Sequence, residues 1–172
     1  MLLPDSGSRR EFDSGAVRDI AQGKGRCDLM PLNIIGAWLG RTCLVHIDEY
    51  LYTGDSRSLF NTLDAFIDEH DRDPLDCVLE IAKHFEDGAV KYGDRNWEKG
   101  IPVHCYIDSA VRHYIKFLRG DKDEPHDRAF MWNILCAIWT HRNYPELVDI
   151  PANKPKKEEQ ECDESNTCTS NA

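Results

Sequence analysis

Residues 130–139 read FMWNILCAIW, a run that is apolar almost all the way round a helix. A helix of that kind must be covered on every side, so it belongs at the centre of a helical assembly rather than on its surface. That requirement sets the frame for the rest of the chain. Other helices must supply the cover, and the sequence offers four, each with start or stop signals.

The first runs from Pro31 or Leu32 to about Thr53, with an apolar stripe through Ile34, Ile35, Trp38 and Leu39, then Leu44, Val45, Ile47 and Leu51. The second is SRSLFNTLDAFIDEH, residues 56–70, with Ser56 or Ser58 available as N-cap. The third begins at Pro74 after Asp73, a proline-at-first-turn signal, and runs to about Tyr92 before Gly93. The fourth spans about Val103 to Leu118 and stops at Gly120. The central helix starts near Glu124–Pro125 and reaches about Arg142. Strand signals are few. The expected class is all-α, a small helical bundle over residues 11–150, with a flexible segment 1–10 and a polar, disordered tail over 151–172.

The formal net charge of −10 and pI near 5.1 argue against a general nucleic-acid or anionic-membrane surface. No apolar stretch reaches the length of a membrane span, and MLLPDSGSRREF lacks the apolar core of a signal peptide. The seven cysteines are scattered without CxxC spacing, which reads as reduced thiols in a cytoplasmic protein.

Polar residues inside this apolar frame are the candidates for chemistry. On the third helix Val78, Ile81, Ala82, Phe85 and Ala89 form one arc, with Glu86 at its edge. Glu80, His84 and Asp87 cluster on the other face. On the central helix Asp127 aligns with Met131, Ile134 and Ile138, which points it at the core, and Glu124 lies three residues before it. Two helices offering carboxylates to one interior is how bundles hold divalent metal, and oxygen ligands favour Mg²⁺ or Mn²⁺. The plain alternative is a solvated face on the third helix and dipole capping by Glu124 on the central one.

Arg112 and Lys116, one turn apart and next to His113, suit phosphate. Lys24 and Arg26 sit among glycines in QGKGRCDLMP, where backbone approaches a ligand closely, though not with P-loop spacing. In KYGDRNWEKG, Asn96 and Trp97 suit a base, and Arg95 and Lys99 suit phosphate. The plain reading there is a tight connection anchored by a buried Trp97.

Three stretches together carry a resemblance: SGAVRDIAQGKGRCDLMPL, then LEIAKHFEDGAVKYGDRNWEKGIPVHCYIDSAVRHYIKFLRGDKDEPHDRAF, then MWNILCAIW. They resemble the phage and bacterial dATP/dGTP diphosphohydrolase family, the MazZ type, over about Glu11 to Trp139. That family is similar to the MazG-like all-α nucleoside triphosphate pyrophosphohydrolases, which hold Mg²⁺ or Mn²⁺ with ExxE and ExxD carboxylates. EPHD supplies Glu124 and Asp127 in the second spacing. The third helix has no clean ExxE and offers Glu80, His84, Glu86 and Asp87 instead.

The resemblance implies metal-dependent cleavage of dGTP or dATP to dNMP and pyrophosphate, with Glu86 and Asp127 catalytic. It also implies a homo-oligomer, dimer or tetramer, in the cytoplasm, the bacterial host's if the protein is phage-encoded. In phages with 2-aminoadenine DNA the family's role is to supply dGMP. Two other readings stand beside it. His126–Asp127 with His84 or His113 and Asp149 resembles the ligand set of HD-type triphosphohydrolases, and a non-catalytic helical interaction protein would need no ligands at all.

Overall fold

The computed structural model describes residues 7–153. The expected tail therefore falls almost wholly outside the described residues. Six α-helices make up the body: α1 (Leu32–Leu39), α2 (Thr42–Thr53), α3 (Arg57–Glu69), α4 (Pro74–Tyr92), α5 (Val103–Arg119) and α6 (His126–Asn143). The bundle class is as the periodicity requires. α6 is the central element, with Phe130, Met131, Ile134, Cys136, Ala137 and Ile138 all buried. It packs along α5 and against α4 and α3.

Local chemistry sets the ends. Asp73 caps α4, its Oδ1 accepting from the Leu75 and Asp76 N–H groups at 2.8 and 3.0 Å, with Pro74 at the first helical position. Gly120 ends α5 in the left-handed conformation, its N–H returned to the Lys116 and Phe117 carbonyls.

Three expectations are corrected. The single helix from residue 32 to 53 is two helices, broken where Gly40 turns left-handed (φ 64°) and α2 folds back on α1. The fold-back is close: a Cβ on Gly36 would lie 2.8 Å from the Arg41 carbonyl oxygen and 2.9 Å from Val45 Cγ2. Next, residues Arg9–Glu11 (β1) and Val17–Asp19 (β2) pair as an antiparallel hairpin within a segment read as loose or unassigned. Long-range bonds hold it: Val17 exchanges two with the Asn96 amide, both at 2.9 Å. Finally, α4 is rotated from its expected seat. It buries Cys77, Ile81 and His84, whereas Val78, Leu79 and Val90 are exposed. Apolar residues occupy two sides of α4, and the side taken is the one that sets Asp87 against Arg128 of α6 (2.9 Å).

A candidate active-site cleft

β2, the 20–26 loop, the second half of α4, the 93–98 loop, α5 and the start of α6 enclose a cleft of about 1150 Å³. That volume accommodates a nucleotide-sized ligand. Its floor is aromatic: Trp132 lies 5.2 Å from His84 and 5.9 Å from Phe85, centroid to centroid. Its walls carry cations.

Most of the sequence-expected residues meet here, although they lie far apart in the chain. Lys24, Arg26, Arg95, Asn96 and Trp97 line the cleft, as do Arg112, His113 and Lys116. So do His84, Glu86 and Glu124. Several are already engaged. Arg26 forks onto Asp28 (Nε to Oδ1 2.7 Å), which holds the guanidinium pKa above its ordinary value. Arg112 pairs with Asp108 and donates to the Lys24 and Gly25 carbonyls at 3.2 and 3.3 Å, tying the loop to α5. Asp108 Oδ1 in turn accepts from the Cys27 N–H at 2.7 Å. Both ends of the Asn96 amide serve Val17, so this residue positions β2 and does not read a base. Trp97 packs between Phe85 and Trp139, at 5.3 and 4.9 Å between ring centroids.

Other expected residues stand apart from the cleft. Glu80 pairs with Lys83 on the outside of α4. Asp87 holds Arg128. Lys99 Nζ donates to the Gly15 carbonyl at 3.3 Å. Asp127, expected to point at the core, is half-buried and bonded to Arg72 at 2.7 Å, which lowers its pKa against the opposing effect of burial. The reason is angular: consecutive helical residues diverge by about 100°, so His126 and Asp127 face different neighbours. Glu86, expected at a core edge, is an exposed carboxylate on the cleft rim.

The densest chemistry lies where α5 meets the start of α6. His113 Nδ1 and His126 Nδ1 are 3.0 Å apart, and Glu124 Oε1 lies 3.4 Å from each. His126 is buried and its Nε2 contacts Asp123 Oδ1 at 2.8 Å. Lys116 Nζ binds the other Asp123 oxygen at 2.8 Å. Burial, then the neighbouring His126, keeps the His113 pKa well below the ordinary value, so the ring is neutral. Burial raises the Glu124 pKa. His113, Glu124 and His126 form a group able to hold a metal ion, and Asp121, Asp123 and His126 form a second. The HD-type set is not assembled: Asp149 accepts from the His104 N–H at 3.0 Å and pairs with its ring, outside this cluster.

Arg18 and Asp123 carried no signal strong enough to single them out. Arg18 reaches in from β2, its Nη2 bonding Asn133 Oδ1 at 2.9 Å and Ser109 Oγ at 3.2 Å, with its guanidinium 5.0 Å from the Tyr106 centroid. Among the described residues no carboxylate pairs with it.

Residues 60–150, more than half of the chain, match the family described as dATP/dGTP diphosphohydrolase, N-terminal. The chain belongs to the dATP/dGTP diphosphohydrolase family. No curated protein and no solved structure matches it. The family match takes in α4, α5 and α6, and with them the whole His113–Asp123–Glu124–His126 cluster. The hairpin and the 20–26 loop, which close the cleft from the other side, precede it. No helix among the described residues is long and apolar enough to cross a membrane.

Proposed function

We propose that the protein hydrolyses a purine deoxynucleoside triphosphate, dGTP or dATP, between the α and β phosphates, releasing dNMP and pyrophosphate with the help of a divalent cation. The observation that carries this reading is the convergence, inside one nucleotide-sized cleft of a family member, of a histidine–carboxylate cluster with unsatisfied positive charge.

His113, Glu124 and His126 would hold the ion, with Mg²⁺ and Mn²⁺ the ions expected from the resemblance. When bound, it would supply neutralisation of phosphate charge. Arg18 and Lys24 supply further positive charge where the leaving pyrophosphate gains negative charge. Arg112 and Lys116 line the same wall and reinforce it while holding Asp108 and Asp123. Glu86, exposed at the rim, takes the proton from the water whose oxygen attacks the α phosphorus as the α–β bridging bond breaks. Phe85 and Trp132 give the base an apolar floor. Asp127 supports the site at a distance by fixing Arg72.

The reaction draws on the cytoplasmic nucleotide pool, the bacterial host's if the protein is phage-encoded. We also propose self-association into a dimer or tetramer, supported by Leu75, Val78 and Leu79, which form an exposed apolar stripe along the first turns of α4.

The direct test is pyrophosphate release from dGTP and dATP by the full chain, with added Mn²⁺ or Mg²⁺ and after chelation. Glu124→Gln should lower kcat/KM at least about 100-fold, the scale of losing one transition-state charge contact. Turnover that is unchanged in this variant would remove the cluster from the mechanism.

A further inference from the structure

The geometry points to a two-histidine, one-carboxylate ion site, and we propose that His113, His126 and Glu124 bind a borderline first-row divalent ion such as Fe²⁺, Co²⁺ or Zn²⁺ in preference to Mg²⁺. This deepens the reading above and rests on it only for what the ion does in catalysis. The family resemblance points instead to ligands among Glu80, His84, Glu86 and Asp87 on one helix and Glu124 and Asp127 at the next.

The spacing fits an ion. The three ligand atoms form a triangle with edges of 3.0, 3.4 and 3.4 Å. Metal–ligand bonds of about 2.1 Å give ligand–ligand edges of about 3.0 Å in octahedral and about 3.4 Å in tetrahedral coordination. An ion about 0.9 Å above the plane of this triangle would therefore sit about 2.1 Å from all three atoms at once. No side chain has to move to make that triangle.

The protonation pattern fits too. Asp123 is an acceptor, so the His126 Nε2 that faces it at 2.8 Å carries the proton. With that proton on Nε2, Nδ1 is the ring nitrogen left to face His113 at 3.0 Å and Glu124 at 3.4 Å. Carboxylate–histidine contacts of this kind fix the tautomer of metal-binding imidazoles. Lys116 holds the second oxygen of Asp123 at 2.8 Å, which keeps the carboxylate in place. Asp123 is thus a positioning residue: it sets the His126 lone pair without touching the ion.

The donor set decides the class of ion. Mg²⁺ is hard, prefers oxygen and dehydrates reluctantly. Two imidazole nitrogens and one carboxylate suit the first-row transition ions. The competing account is a shared-proton pair, His113 Nδ1–H donating to His126 Nδ1, with Glu124 as a spectator. It predicts no ion at this place.

The test uses the full chain, stripped with chelator and without nucleotide. Co²⁺ is titrated while the visible d–d absorption and the heat of binding are followed, with Mg²⁺ and Zn²⁺ as competitors. The expected result is one equivalent of Co²⁺, displaced by Zn²⁺ and at least about 100-fold less readily by Mg²⁺. Glu124→Gln and His126→Ala should abolish the d–d spectrum. Asp123→Asn should weaken Co²⁺ binding about 10–100-fold, as loss of an outer-shell partner does. Glu80→Gln, on the outside of α4, should change nothing. If His126→Ala fails to fold, Glu124→Gln and the spectrum of the unaltered chain decide the matter. The inference is overturned by no Co²⁺ binding, by a spectrum that survives Glu124→Gln, or by Mg²⁺ binding as tight as Co²⁺. Its failure is separable from failure of the proposed function. Ion binding at the triad without dNTP cleavage sinks only the latter, and cleavage with Mg²⁺ and no triad binding sinks only the former.

Discussion

Replacing Arg112 with alanine tests how the cleft is held together. The guanidinium pairs with Asp108 across α5, with side-chain exposures of 18% and 7%, and also ties down the 24–25 backbone. Deleting one partner of a buried pair costs about 3–5 kcal/mol, because the other charge stays buried. Asp108 keeps its bond from the Cys27 N–H at 2.7 Å, which offsets part of that cost. The two carbonyl bonds are long and lie at the cleft surface, so they add about 0.5 kcal/mol each. The expected loss is then about 3–4 kcal/mol. For a chain of this size that lowers Tm by roughly 6–16 °C. Urea unfolding followed by far-ultraviolet circular dichroism measures it. Removing the stranded charge as well, in Asp108→Asn/Arg112→Met, should recover at least half of the loss, since replacing both partners is far less costly than removing one. A loss below about 1 kcal/mol, the range of a surface ion pair, would refute the argument. So would a double variant no more stable than Arg112→Ala.

Phe66, fully buried among His70, Tyr114, Phe117 and Phe130, should cost about 3–5 kcal/mol as Phe66→Ala, checked by the same unfolding assay. Asp149 and Cys105 raise the His104 pKa from 6.5 to about 10. A folded pKa above the unfolded one gives stability that is complete below pH 6.5 and is lost as pH rises towards about 10. Asp149→Asn should therefore lower Tm most near neutral pH and below, with the gap closing on the alkaline side; parallel Tm curves would contradict this. Leu79→Glu, placed in the exposed α4 stripe, should shift the assembly towards monomer in sedimentation velocity, and an unchanged distribution would remove that face from the interface.

The sequence was most readable where one residue type settles a local question. Asp73–Pro74 starts α4, Gly120 stops α5, and the run at 130–139 has to be central. It was least readable where geometry between elements decides. Gly40 breaks the 32–53 helix although the apolar stripe continues across it, because the break depends on the close approach at Gly36. β1 and β2 have three residues each, too few for a period of two, and are set by the bonds of Val17 to Asn96 and by Ser14, in the turn between them, donating to the Gly100 carbonyl. α4 had two apolar sides, and the one buried is the one that packs His84 and Phe85 on Trp132 and sets Asp87 against Arg128 of α6. Among the cleft residues His113, Glu124 and Arg112 were visible singly. The union of His113 and Glu124 with His126 comes from the packing of α5 on α6, which spacing along one helix cannot show. Asp123 sits in DKDEPHD, where any acidic residue reads as a solvated turn.

Product analysis with dGTP in heavy-oxygen water tests the central claim most directly. The full chain, supplied with Mn²⁺, should release dGMP and pyrophosphate in equal amounts, with the heavy oxygen on the phosphate of dGMP, as attack at the α phosphorus requires. Deoxyguanosine with tripolyphosphate, the label on pyrophosphate, or no cleavage of dGTP or dATP would contradict the account.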